Sequence, residues 1–246
     1  MIEIDMQEMT NEFLECWNAA GSHLSKQVDG GIPWLRAHPY PPFLEHFSFR
    51  LGNQLFFIRV EDVDGKVHGP GSLMGLASVA RDTQGVACIL PMKRTPAGWI
   101  ATGTGWCLID PTSGRLIDPP ALVSDEDIEM TDRETHDMAV SVVTQHLQQN
   151  GLTLMSWQCD PRVDPSIWFV GATGQPEWVV VRAVRYPTEH AQRPSNWDNI
   201  AQGLARMSTT GHFASVALAS AEQPQSETLV PLWRGHGMHV RFTGLE

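Results

Sequence analysis

Residues 178–186, Trp178-Val179-Val180-Val181-Arg182-Ala183-Val184-Arg185-Tyr186, hold a tryptophan and four valines within seven positions. β-Branched and aromatic side chains favour extended backbone. The run does not alternate with polar residues, so both of its faces need covering. A strand of this kind belongs in the middle of a sheet with helices on both sides.

The flanking sequence supplies those elements. Upstream, Thr131 and Glu134 have capping-box spacing and open a helix through Gln149, with Ala139, Val140, Val143 and Leu147 inward. Asn150-Gly151 stops it, and Leu152–Gln158 and Ile167–Val170 read as two strands before the central one. Downstream, Ser195 and Asp198 cap a second helix over 196–207, with Trp197, Ile200, Ala201 and Leu204 on one face and Gly211 ending it. His212–Ser220 is a fourth strand and His239–Thr243 a fifth.

The N-terminal half has another rhythm. A helix is expected from Asp5 to Gln27, with an Asp5–Glu8 capping box and a stripe of Phe13, Leu14, Trp17, Ala20 and Leu24. Pro39, Pro41 and Pro42 hold an extended connection. Phe47–Leu51 and Gln54–Glu61 flank Gly52-Asn53 as a two-residue hairpin. Leu73–Ala80, Val86–Leu90, Trp99–Thr102, Trp106–Asp110 and Arg115–Ile117 then read as further strands, an antiparallel meander of about five to seven. Asp118-Pro119-Pro120 and the acidic Asp125-Glu126-Asp127 mark a boundary, giving subdomains 1–125 and 126–246. The meander has one helix to cover it, so the two halves are expected to pack together. The fold class is α+β.

Composition narrows the function. The 246 residues are 42% hydrophobic, and nine tryptophans and nine phenylalanines supply core material. No apolar run reaches the ~20 residues of a membrane span. The acidic start, Met1 to Asp5, lacks a secretion-signal layout, which predicts a cytoplasmic protein. The formal net charge is −11, unfavourable for nucleic-acid binding, which draws on basic surface. From residue 131 onward there are eight basic residues, all arginine, against eleven acidic ones.

The order helix, three strands, helix, strand over residues 131–220 resembles the core of the restriction-endonuclease-like superfamily. The resemblance implies that an aspartate opens the second core strand, and Asp164-Pro165-Ser166-Ile167-Trp168-Phe169 looks like that strand. It also implies an acid-x-lysine triplet on the third strand, which completes a magnesium site. A hairpin centred near residue 173 would set Asp164 opposite Arg182, so the triplet position is Val180-x-Arg182. Valine cannot ligate hard magnesium, and arginine stays protonated, so the lysine's proton-handling part is lost. Glu177 is the nearest acid on the strand but falls on the other face, and Glu134 on the preceding helix could supply a migrated carboxylate. A divergent magnesium-dependent nuclease would therefore use Asp164 as metal ligand, with Arg182, Glu177 and Glu134 around it. The other reading has Arg182 simply pairing with Asp164 across the hairpin. It makes the protein a non-enzymatic interaction or regulatory protein that needs no cofactor and binds another macromolecule, most naturally a protein.

Other motifs carry less. Cys16, Cys88, Cys107 and Cys159 form no C-x-x-C pair and read as buried thiols, although Cys159 beside Asp160 ends a strand where a nucleophile can stand. His236 and His239 have metal-ligand spacing, but glycines and a strand-like run surround them. Gly103-Thr104-Gly105-Trp106 is a tight turn. Arg182, Arg185 and Arg193 are the densest basic group and read as a salt-bridged or solvated face.

Overall fold

The computed structural model describes residues 10–37, 45–224 and 226–246. The expected Asp5–Glu8 capping box and the extended connection at Pro39, Pro41 and Pro42 lie outside the described residues. The chain divides into two compact units, residues 1–126 and 127–246.

In the first unit the order is α1 (Asn11–Ser25), β1 (Trp34–Arg36), β2 (Phe47–Leu51), β3 (Gln54–Asp62), α2 (Leu73–Asp82), β4 (Val86–Thr95), β5 (Gly98–Ala101), β6 (Leu108–Ile109), β7 (Leu116–Ile117) and a short α3 (Pro119–Leu122). Thr10 caps α1 by accepting the Phe13 N–H at 3.1 Å. Phe13, Cys16, Trp17, Ala20 and Leu24 face inward, and the Trp17 ring stacks on Phe47 with centroids 3.8 Å apart. The strands run in the order β1-β2-β3-β4-β6-β7, with β5 also on β4. Alternation along β3 and β4 sends Phe56, Ile58, Val60, Cys88, Leu90 and Met92 into the core that α1 closes. Leu55 and Phe57 face the other way, against Leu76 and Ala80 of α2.

Here the structure corrects the expected meander. Residues 73–82 are a helix, capped by Ser72, whose hydroxyl accepts the Gly75 N–H at 3.0 Å. β3 and β4 are parallel, Phe56 beside Val86 through Asp62 beside Met92. Parallel neighbours need a crossover, and α2 is that crossover. Leu76 and Ala80, four apart, carry the helical period on one face. The Asp82–Gly85 stretch ends that helix, with Gln84 at φ 49°.

In the second unit the order is α4 (Asp132–Gln149), β8 (Thr153–Trp157), β9 (Ile167–Val170), β10 (Pro176–Arg185), α5 (Trp197–Leu204), β11 (Gly211–Ser220) and β12 (Met238–Phe242). The sheet order is β12-β11-β10-β9-β8, with β10 and β11 parallel and the other pairs antiparallel. β10 is central, and Val179, Val180 and Val181 are fully buried. Ala139, Val140, Val143 and Leu147 of α4 pack against Val179, Val181, Ala214, Val216 and Leu218. On the opposite face Trp197, Ile200, Ala201 and Leu204 of α5 pack against Trp178, Val180 and Phe213. The Thr131–Glu134 capping box forms with both bonds present.

Two expectations about α5 are corrected. It spans Trp197–Leu204, its cap residue is Asn196, and no side chain caps it. Gly211 does not end the helix but opens β11, where its missing Cβ has another use. A methyl there would sit 2.0 Å from Cζ2 of the buried Trp178 indole. The architecture is thus α+β with two sheets, and no helix among the described residues is long and apolar enough to cross a membrane.

Candidate functional site

β9 and β10 pair one for one, Val170 with Pro176 through Ile167 with Val179. Continued past the start of β9, that register sets Asp164 opposite Arg182. The two side chains meet as a bidentate pair, Nη1 to Oδ1 at 2.9 Å and Nη2 to Oδ2 at 2.6 Å. Nη1 also donates to the Val181 carbonyl at 2.9 Å. The pair is mostly sheltered, with Arg182 26% and Asp164 14% exposed. A fork-on-carboxylate geometry uses both oxygens of the aspartate and orients the guanidinium. Val180, at the position where the resemblance calls for a carboxylate, is buried in the α5-side apolar cluster.

The other two acids lie in different surroundings. Glu177 is five residues before Arg182 on β10, roughly 16 Å at strand rise, and on the opposite face. Its Oε2 is 2.7 Å from Nε2 of His212 on β11. Gly171 gives it room, since a Cβ there would fall 1.9 Å from Oε1. Glu134 stands in the first turn of α4. Oε1 accepts from Arg234 Nε at 2.7 Å, and Oε2 accepts from Arg234 Nη2 at 2.9 Å and from the Thr131 N–H at 2.9 Å. Arg234 is 1% and Glu134 9% exposed, so this is a buried ion pair fused to a helix cap. Asp164, Glu177 and Glu134 therefore form three separate contacts, each with its own cationic or imidazole partner. Among the described residues no group of three or more His, Cys, Asp or Glu side chains is arranged to hold a metal ion.

Two residues near Asp164 carried no signal in the sequence. Asp160 accepts from Arg162 Nε at 2.8 Å and Nη2 at 2.7 Å and lies 3.3 Å from Arg133 Nη1. The Arg162 bonds hold its carboxyl well below the usual carboxylate range. His136, on the inward face of α4, is buried, and its Nε2 has no hydrogen-bond partner. Burial, reinforced by the charge of Arg182, pushes its pKa down to about 4. A histidine on an apolar helix face gives no spacing from which this could be read.

Six of the eight arginines of the second unit are paired internally, with Asp160 (Arg133 and Arg162), Asp164, Glu129, Glu134 and Glu189. Arg193 lies over the Trp197 ring at 4.5 Å. All four cysteines are buried thiols, and burial raises the Cys16 thiol to about 12. His236 lies in a loop and His239 on β12, so their spacing is not that of one helix face.

Residues 133–246 match a family described only as a domain of unknown function, DUF8840. The similarity runs from the first turn of α4 to the last residue. No curated protein and no solved structure matches the chain.

Proposed function

We propose that residues 131–220 are a restriction-endonuclease-like core put to non-enzymatic use, and that the protein binds another macromolecule, a protein rather than a nucleic acid. The observation that carries this reading is the Asp164–Arg182 pair. Its guanidinium engages both oxygens that a metal would need, and the neighbouring triplet position is an apolar valine. The element order, with helices on both faces and β10 parallel to β11, supports the comparison with that superfamily. A net charge of −11 and arginines engaged within the unit leave little basic surface for phosphates, which supports a protein partner. No cofactor belongs to this reading; Mg2+ belongs to the divergent-nuclease alternative.

Manganese separates the two. Paramagnetic Mn2+ titrated into the full chain should broaden the amide signals around Asp164 no more than those of the acidic stretch 125–127. Saturable broadening centred on Asp164 and lost in Asp164→Asn would move the assignment to the nuclease.

A further inference from the structure

The connection between β11 and β12, residues 221–237, is held in two layers. The inner layer contains no group that titrates near neutrality. Ala221 N–H donates to the Gly237 carbonyl at 2.9 Å, Met130 N–H to the Leu232 carbonyl at 2.7 Å and Arg234 N–H to the Ile128 carbonyl at 2.9 Å. Glu129 and Trp233 form an antiparallel bridge, and the Arg234 side chain is locked on Glu134.

The outer layer is one imidazole. His236 Nδ1 is 2.9 Å from Oε1 of Glu222, and Nε2 is 3.3 Å from Oδ1 of Asp127. Ionised carboxylates only accept hydrogen bonds, so both ring nitrogens must carry protons for both contacts to hold. A neutral ring would turn a lone pair toward one of the two carboxylates. The described residues 223–231 hydrogen-bond only with one another, as in Ser226 N–H to the Gln223 carbonyl. The Glu222–His236 contact borders the start of this segment, and the Met130 N–H to Leu232 carbonyl bond borders its end.

We propose that His236 is a pH-operated pin. As imidazolium it ties Glu222, near the start of the connection, to Asp127, at the head of the segment entering α4; on losing its proton it releases Glu222 and the described residues that follow it as far as 231, while the Ala221–Gly237 backbone bond stays closed. Arg234 keeps residues 232–234 seated throughout. Glu222 and Asp127 are the charged groups facing the ring. The Glu222 hydrogen bond, then its charge and that of Asp127, raises the histidine above its ordinary value against a smaller opposing effect of burial. The protonated form is favoured by the fold, so the pin is fully closed below about pH 6.5 and opens as pH rises through the raised folded value. This inference is independent of the interaction reading.

The test is an NMR titration of the full chain from about pH 5 to 9, following the histidine rings and the backbone amides. His236 should titrate above an unperturbed imidazole, and the amides of 222–223 and 226–230 should shift with the same midpoint, while Ala221, Met130 and Arg234 stay still. Glu222→Gln and Asp127→Asn, both at exposed positions, should each lower that midpoint. His236→Gln should abolish the loop's response. The pin is overturned if His236 titrates at the ordinary value, if the amides of 222–223 and 226–230 ignore its midpoint, or if Met130 and Arg234 move as much as they do.

Discussion

Removing the charge of Arg234 tests most sharply whether Glu134 is architecture or a spare metal ligand. Arg234 and Glu134 are 1% and 9% exposed and joined by two bonds of 2.7 and 2.9 Å. Arg234→Met deletes one partner and strands a carboxylate in the interior. Breaking a buried pair in this way costs about 3–5 kcal/mol, against less than about 1 kcal/mol for an exposed pair. Adding Glu134→Gln removes the stranded charge. Glutamine at the third helical position still serves a capping box, so the Thr131 N–H keeps an acceptor. The double variant should therefore recover about 2 kcal/mol or more of the loss. Urea denaturation followed by tryptophan fluorescence reads both values. A single-variant cost below about 1 kcal/mol, or a double variant as weak as the sum of the singles, would refute the architectural role.

Gly211→Ala places a methyl 2.0, 2.2 and 2.4 Å from three ring carbons of Trp178, itself fully buried. It should destabilise by about 1–3 kcal/mol, while Gly203→Ala on α5, with nothing within 4 Å, should stabilise by about 0.5–1 kcal/mol. His136 is held neutral with a pKa of about 4, whereas in the unfolded chain it titrates near 6.5. As pH falls the unfolded state takes up that proton first, so its stabilising effect is complete above 6.5 and declines toward 4. The difference is worth up to about 3 kcal/mol. Urea midpoints at neutral and acidic pH should show that slope, and His136→Leu should flatten it; an unchanged slope would place the acid sensitivity elsewhere.

The second unit was legible because β10 declares itself. Trp178 and the valines admit no single-faced strand, and a hairpin centred near residue 173 sets Asp164 opposite Arg182 from the sequence alone. α2 was not legible as a helix. Leu73–Ala80 is short, apolar and punctuated by Gly75, and periodicity alone does not separate such a run from a buried strand. The missed parallel pairing of β3 and β4 follows from that one misreading. At the site, local pairing could be argued from alternation, but the Glu134–Arg234 pair spans a hundred residues. Contacts set by tertiary packing leave no periodic trace.

The central proposal is that Asp164 belongs to an ion pair and not to a catalytic metal centre. The most direct measurement incubates the purified chain with single- and double-stranded DNA and RNA in Mg2+ and in Mn2+, with Asp164→Asn and Arg182→Met alongside. The account predicts no metal-dependent cleavage by the unaltered chain or by either variant. Metal-dependent cleavage by the unaltered chain that disappears in Asp164→Asn would contradict it.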